Sequence, residues 1–213
     1  MNQMEFLSEK QNREIEKYAI TKGINLIDFA SSEIAKFIIR KFTTKEKILF
    51  IIGSGNNGSD GLAAAIKLYT NGYNIDVYRI FPNANDDNQL YYREFSKYKT
   101  PLLNIPDISA YDIVVDGIFG IGLDINIEGI TLETIEAINN KSKYTISIDV
   151  PSGLGAFNAK VYGKAIYAND TITFLADKQG LHTSSGLDHA GNVTVFELID
   201  NSNIKLSKPL YKV

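Results

Sequence analysis

From residue 47 onward, short runs rich in β-branched residues alternate with longer segments of helical periodicity, and this alternation admits few architectures. Runs such as "KILFII" are apolar without interruption, which is typical of strands buried on both faces. Strand and helix in alternation predict a parallel sheet whose strands are joined through helices. The strands are predicted at 47–52, 74–81, 112–119 and 144–150, and the helices between them at 59–71, 87–98 and 131–140.

Two helices are predicted ahead of the sheet, at 8–22 and 25–42, because apolar residues recur there every three or four positions and Gly23 separates them. Two further strands, at 170–176 and 192–199, are expected to extend one edge of the sheet. We therefore predict the α/β class, as a three-layer α/β/α sandwich with a Rossmann-like, mostly parallel sheet. No linker or repeat divides the chain, so residues 1–213 are predicted to form one domain.

The composition argues against several kinds of partner. The net charge is −3, from 22 basic and 25 acidic residues without a basic block, which disfavours nucleic acid. There are no cysteines for disulfides or thiolate metal sites, and His182 and His189 match no zinc pattern. The N-terminal residues lack the apolar run of a signal peptide, and no run approaches the ~20 residues that span a bilayer. We expect a soluble, cytoplasmic protein that has no membrane partner.

The segment "GSGNNGSDG" at 53–61 follows the first strand of the sheet and opens a helix. Its glycines satisfy the G-x-G-x-x-G spacing of a dinucleotide fingerprint, which is a weak signal by itself. Asp60 would repel a pyrophosphate, and the ribose-binding carboxylate is missing because Asp76 comes too early in its strand and Arg79 lies nearer the expected place. The alternative is that the glycines only permit a tight turn and that Asp60 favours the helix dipole.

Two more strands end in a carboxylate followed by glycine-rich sequence. Asp116 precedes the loop of "DGIFGIGL", and Asp149 precedes the stiff turn of "DVPSGLG". Each could be no more than a capped turn at a strand end. The carboxyl ends of parallel strands share one edge of the sheet, where ligands of open α/β sheets bind, so we expect the three loops to form one site.

Four blocks together resemble the YjeF N-terminal domain family, the NAD(P)HX epimerases: "GSGNNGSDGLAAA", "VVDGIFGIGL", "SIDVPSGL" and "TFLADKQGL". The resemblance extends to the opening helices and covers nearly the whole chain. It implies epimerisation of the R form of hydrated NADH or NADPH (NADHX, NADPHX) to the S form, as a step in the repair of damaged nicotinamide nucleotides. Which of the two hydrates is preferred stays open.

The resemblance also implies the roles of particular residues. The implied substrate contacts are Asn56, Asn57, Gly58, Ser59, Asp60, Gly120, Ile121, Gly122, Leu123, Asp124, Ile125, Asn126 and Asp149. Potassium is the implied cofactor, with side-chain ligands Asn57, Asp116 and Ser152, and hard oxygen donors of this kind suit such an ion. Asp149 and Lys178 form the hypothetical acid and base pair, since opening and reclosing the hydrated ring needs one group to take a proton and one to return it.

Two positions depart from the family pattern. Ser59 stands where the family has a second glycine in Asn-Asn-Gly-Gly-Asp, and could narrow the pocket. Asp177 and Gln179 replace the prolines that usually flank the lysine, and Asp177 could compete for Lys178.

Partners are also implied by the resemblance. An S-specific dehydratase is the functional partner, fused on the C-terminal side in many relatives, and a homodimer is compatible with the family. A non-catalytic nucleotide-binding or scaffold module of the same fold is the alternative reading. An NAD(P)-dependent dehydrogenase is a third, which the missing strand-end carboxylate disfavours.

Overall fold

The computed structural model describes residues 5–197 and 211–212. Its strands are β1 (Glu5–Phe6), β2 (Lys47–Ile52), β3 (Asn74–Arg79), β4 (Ile113–Gly117), β5 (Thr145–Ile148), β6 (Asp170–Phe174), β7 (Asn192–Phe196) and β8 (Tyr211–Lys212). Six of them form one sheet in the order β3-β2-β4-β5-β6-β7, and every neighbouring pair in it is parallel. The short β1 and β8 pair with each other in an antiparallel ribbon.

The helices occupy the intervals between the strands. They are α1 (Glu9–Thr21), α2 (Leu26–Lys41), α3 (Asn56–Thr70), α4 (Asp86–Ser96), α5 (Gly129–Lys141), α6 (Gln179–His182) and α7 (Gly186–His189), with a 3₁₀ turn at Ile108–Ala110. Local sequence fixes where the first two begin. Ser8 and Gln11 form a capping box at the start of α1, and the Asn25 side chain accepts a hydrogen bond from the Asp28 amide at the start of α2.

Side chains of the central strand alternate between two hydrophobic layers. Ile48 and Phe50 of β2 face the layer that contains α2 and α3, whereas Leu49 and Ile51 face the layer that contains α5. All four side chains are fully buried, and burial of each stabilises the fold by about 1.5–3 kcal/mol. The sheet is therefore covered on both faces, and the predicted three-layer α/β/α sandwich with two N-terminal helices is confirmed.

Most elements begin or end one to three residues from the predicted positions, and three of these boundaries concern the site or the edge of the sheet. Helix α3 begins at Asn56, three residues earlier than expected, because Gly55 acts as its capping residue and the asparagines form its first turn. Strand β5 ends at Ile148, since Asp149 has a φ of 68° and leaves the extended conformation. The last predicted strand is observed as Asn192–Phe196, and its expected end at 198–199 lies outside the described residues.

Candidate active site

The strand order places a topological switch point between β2 and β4. The chain leaves β2 for β3 on one side and returns to β4 on the other, so the loops that follow β2 and β4 diverge and leave a crevice. A cavity of about 970 Å³ opens there. The strand-end loops line one side of it, and residues of α1, α2 and α4 line the rest. Its position is the one expected for the ligand site of an open α/β sheet.

The glycines after β2 are explained by close packing of the two loops. A Cβ atom at Gly53 would lie 2.0 Å from the carbonyl oxygen of Ile118, and one at Gly58 would lie 2.3 Å from that of Gly53. Neither position has room for a side chain. Backbone contacts within the protein therefore require glycine at positions 53 and 58, whereas a side chain at Gly55 would meet open space.

The Asn57 side chain carries a buried amide that has no partner. Among the described residues, neither its oxygen nor its nitrogen makes a hydrogen bond, although both atoms are buried. A Cβ atom built on Gly120 would lie 3.4 Å from Asn57 Cγ, so the amide faces the loop after β4. Buried polar groups in native proteins are nearly always satisfied. An unpartnered amide at the site points to a ligand or an ion as its partner.

Asp116 lies fully buried beneath the loops and accepts four hydrogen bonds. Ser147 Oγ (2.8 Å) and the Ser152 amide (2.9 Å) donate to Oδ2, and Ser152 Oγ (2.5 Å) and the Ile118 amide (3.2 Å) donate to Oδ1. Burial raises the pKa of Asp116, while the bonds from Ser152, Ser147 and Ile118 oppose that rise. The carboxylate thus ties the end of β4 to the turn after β5.

Asp149 sits directly after β5 in a left-handed backbone conformation, with φ 68°. Its Oδ1 lies 2.9 Å from Lys178 Nζ, and its Oδ2 accepts a bond of 3.3 Å from the Ile121 amide. A positive φ is uncommon for a residue other than glycine, although aspartate tolerates it better than most. The surrounding bonds hold the carboxylate at the cavity in this strained conformation.

Lys178 is buried, and its ammonium group is fully engaged. Besides Asp149, Nζ has hydrogen-bond acceptors in Thr173 Oγ1 (2.6 Å), the Phe174 carbonyl (3.1 Å) and the Ala176 carbonyl (3.3 Å). Only 2% of its side chain is exposed. An ammonium has three N–H donors, and four acceptors already surround this one.

Asp177 does not compete for Lys178. Its Oδ1 lies 2.8 Å from His182 Nε2 and accepts a 2.8 Å bond from the Lys178 backbone amide. The Lys178 ammonium points instead to Asp149. His182 is therefore the partner of Asp177, and the competition considered from the sequence is absent.

Three more carboxyl groups line the cavity, Asp60 on α3, Glu16 on α1 and Asp87 on α4. Burial raises the pKa of Asp60 well above its usual value, and the nearby charges of Asp149, Glu16 and Asp87 add to the rise. A raised pKa weakens the case that Asp60 repels a pyrophosphate. Gly55 provides no side-chain cap, so the first amides of α3 remain available to an anion.

The structure brings together only part of the residue set implied by the resemblance. Eight of those residues line the cavity: Asn56, Asn57, Asp60, Gly120, Ile121, Gly122, Asp149 and Lys178. Gly58 and Ser59 are buried outside its lining, and Ser59 Oγ donates to the Gly55 carbonyl at 3.2 Å, so it does not narrow the pocket. Leu123, Asp124, Ile125 and Asn126 also lie outside the lining, and the last three are exposed.

Sequence reasoning missed the contribution of α1. Asn12, Glu16 and Ile20 recur every four residues along this helix, and all three line the cavity. The sequence does contain a signal for this contribution, because Asn12 and Glu16 are polar residues one turn apart on the same side of α1. Which way that face points depends on tertiary packing, which periodicity alone does not give.

The model of the family described as YjeF-related protein N-terminus matches residues 23–180, well over half of the chain. The chain belongs to this family. The resemblance drawn from the sequence is therefore confirmed. Within the described residues, no helix combines the length and apolar character needed to cross a membrane.

Curated relatives of this YjeF-related chain carry two kinds of name. The NAD(P)H-hydrate epimerase of Oenococcus oeni is 32% identical over 202 residues, which covers 91% of this chain and 96% of the relative. The NAD(P)H-hydrate epimerase of Limosilactobacillus reuteri is 31% identical, covering 89% and 93%. The Bifunctional NAD(P)H-hydrate repair enzyme Nnr of Dictyoglomus turgidum is 34% identical, covering 90% of this chain but 38% of that protein.

Among solved structures, the crystal structure of yeast ynu0 (YNL200c) superposes with a TM-score of 0.74. The match covers 90% of this chain and 87% of the yeast chain at 21% identity, which supports the shared fold.

The position of Arg79 argues against an NAD(P)-dependent dehydrogenase. Arg79, the residue nearest the expected ribose-binding place, stacks on Tyr92 with its guanidinium carbon 3.9 Å from the ring centre. It also donates to the Pro82 carbonyl at 3.0 Å. Arg79 is thus occupied within the protein rather than turned toward a cofactor phosphate.

Proposed function

We propose that this protein is an NAD(P)H-hydrate epimerase that converts the R form of NADHX or NADPHX to the S form. The observation that carries the proposal is the Asp149 carboxylate, paired with the buried Lys178 ammonium and facing a cavity at the switch point of the sheet. A volume of about 970 Å³ lies in the upper range of ligand pockets, as a dinucleotide requires. The names of the relatives agree with this assignment.

The chemistry requires a group that can move a proton at the hydrated carbon. That carbon carries a hydroxyl and the ring nitrogen, so transient ring opening and reclosure on the other face inverts its configuration. Asp149 takes the hydroxyl proton during opening and returns it on reclosure. The Lys178 ammonium lies 2.9 Å from Oδ1 and the Ile121 amide donates to Oδ2, so both oxygens are held in a fixed direction.

Helix α3 is suited to hold the charged part of the substrate. Its first turn begins at Asn56 behind an uncapped Gly55, so backbone N–H groups of that turn can bind a phosphate oxygen. The Asn56 side chain also accepts a 2.8 Å bond from Asn85 Nδ2, which orders it at the cavity rim. The pyrophosphate then lies at the helix end while the hydrated ring reaches Asp149.

Potassium is part of the proposal. Asn57, Asp116 and Ser152 offer hard oxygen donors, and the unpartnered amide of Asn57 fits a missing ligand. When bound, the ion would supply positive charge that offsets the buried Asp116 carboxylate and secures the loops that carry Asn57 and Ser152. Asp116 and Ser152 themselves join the end of β4 to the turn after β5.

The S epimer is the substrate of a dehydratase in this scheme, so the protein supplies a repair step in the cytoplasm. Relatives named bifunctional repair enzymes are longer chains, and this chain spans 38% of the one from Dictyoglomus turgidum. A homodimer remains a prediction from the family.

A coupled assay tests the function. A mixture of R and S hydrates of NADH is treated with an S-specific dehydratase in potassium buffer, with and without this protein. The dehydratase alone should stall once the S form is consumed, apart from slow spontaneous epimerisation. We expect the protein to clear the R form quickly and Asp149→Asn to leave it. Clearance at the spontaneous rate by folded wild-type protein would favour the scaffold reading.

A further inference from the structure

Helix α1 presents a stripe of three residues to the cavity, Asn12, Glu16 and Ile20, at successive intervals of four residues. The strand-end loops, Asp149 among them, contribute other parts of the same lining. A substrate ring bound in this cavity can therefore contact both Asp149 and this helix. None of the roles implied by the resemblance falls on α1.

The Asn12 side chain indicates that the part of the cavity lined by α1 contacts a ligand. The residue is 2% exposed, and within the described residues its Oδ1 has no hydrogen-bond partner. Leaving an acceptor buried and unsatisfied is energetically unfavourable. A substrate group that donates an N–H would remove this cost, and the carboxamide beside the reacting ring carries such a donor.

Glu16 lies one turn further along the same stripe. Its carboxyl is partly buried, and in the part of the chain that the structure describes it has no hydrogen-bond or ion-pair partner. Arg13, its neighbour on the helix, is paired with Glu9 at 2.7 Å instead. Burial raises the pKa of Glu16, and the charge of Asp149 raises it further, against the opposing effects of Arg13 and Lys178.

Lys178 is poorly placed to deliver a proton to substrate. Its ammonium is 2% exposed and already surrounded by Asp149, the Thr173 hydroxyl and two carbonyls. The geometry favours a positioning role, in which Lys178 holds the Asp149 carboxyl group in place. The second proton-transfer group must then come from elsewhere in the cavity.

Resting on the proposed epimerase function, we propose that Glu16 is the second catalytic group, which exchanges a proton with the ring nitrogen while Asp149 exchanges one with the hydroxyl. Asn12 accepts the carboxamide N–H and so orients the ring between the two carboxyls. The two catalytic groups act from different elements that line the same cavity, α1 and the loop after β5.

The proton and electron balance closes without a co-reactant. In opening, Asp149 takes the hydroxyl proton, the oxygen lone pair forms a C=O bond, and the carbon–nitrogen bond breaks with its electron pair passing to nitrogen. Glu16 gives its proton to that nitrogen. After rotation of the aldehyde arm, the nitrogen attacks the other face, Glu16 recovers the proton, and Asp149 returns its own to the new hydroxyl.

The test compares Glu16→Gln with Glu14→Gln, a matched change on the same helix that lies outside the cavity lining. Because general acid catalysis is worth about 100- to 10,000-fold, Glu16→Gln should lower kcat by at least about 100-fold with KM nearly unchanged. Glu16→Asp, which retains an acid, should recover part of the rate. Glu14→Gln should behave as wild type, and thermal unfolding checks that each variant is folded.

The pH profile separates Glu16 from its charged neighbours, which are Arg13, Asp60, Asp149 and Lys178. Opening needs protonated Glu16, so kcat of the wild type should fall as pH rises through its raised pKa, and Glu16→Gln should lose that limb. Wild-type kcat and pH dependence in folded Glu16→Gln, or loss of the limb in Asp60→Asn alone, would overturn the inference. An inactive wild type would instead refute the epimerase function itself.

Discussion

The two partners of the ion pair at the cavity should differ in what their removal costs the fold. Asp149→Asn leaves Lys178 with three acceptors, namely Thr173 Oγ1 and the carbonyls of Phe174 and Ala176. Lys178→Met removes the ammonium from these acceptors and leaves the carboxylate without its counter-charge. We therefore expect the lysine to matter more for stability and the aspartate more for the reaction.

The magnitudes follow from burial. Removing one partner of a buried pair costs about 3–5 kcal/mol, and we take the lower end, about 3 kcal/mol, because 17% of the Asp149 side chain reaches solvent. Asparagine tolerates the left-handed conformation at φ 68° and preserves an acceptor, so Asp149→Asn should cost about 1 kcal/mol. In a chain of this size, these losses lower Tm by roughly 6–12 °C and 2–4 °C respectively.

Thermal unfolding followed by far-UV circular dichroism measures the difference. Lys164→Met is the control, because Lys164 is paired with Glu136 at the surface and such pairs contribute about 0–1 kcal/mol. Asp149→Asn should also lose epimerase activity while it remains folded. Equal Tm values for Lys178→Met and wild type, or a larger fall in Tm for Asp149→Asn than for Lys178→Met, would show that Lys178 is not the main stabilising partner of the pair.

Three further outcomes are expected. Gly120→Ala places a Cβ atom 2.8 Å from Asp149 Oδ2 and should displace that carboxyl group. We expect kcat to fall about 100-fold with little change in Tm. Unchanged kinetics would show that the new methyl group does not disturb Asp149. Burial raises the pKa of Asp60, so the folded protein loses stability as pH rises from the ordinary value of 3.8 through the pKa of the folded state. Asp60→Asn should therefore raise Tm at pH 7, and this gain should vanish toward pH 4. A gain in Tm that is the same at both pH values would contradict this expectation. Replacing Na⁺ by K⁺ at fixed ionic strength should raise the Tm of the wild type but not that of Asp116→Asn. Asp112→Asn is the control, because Asp112 lies at the other end of β4, and its Tm should rise as in the wild type.

Most of the fold follows from local patterns. "KILFII" gives a strand at 47–52 because nothing in it interrupts burial on either face, and the structure has β2 at those residues. Asn56 and Asn57 are weak helix formers, so propensity placed the start of α3 too late. The positive φ of Asp149 is imposed by its tertiary hydrogen bonds, which strand propensity does not contain.

The site was predictable where strand ends supply it. Asp116 and Asp149 end consecutive parallel strands, and topology alone brings them to one edge. Glu16 and Asn12 were not predictable, because the direction in which α1 faces depends on how it packs over the crevice. The engagement of Lys178 with carbonyls of its own loop also depends on a backbone path that its sequence does not specify.

The proposed activity is the interconversion of the two epimers. It can be measured without any dehydratase, by chiral separation of the hydrates. Reactions are started from purified R-NADHX and, separately, from purified S-NADHX, and the two forms are resolved by chromatography over time. We expect both reactions to reach the same R to S ratio far faster than the spontaneous process, and Asp149→Asn to approach that ratio no faster than buffer. If the starting forms persist at the spontaneous rate in the presence of folded wild-type protein, the protein is not an epimerase.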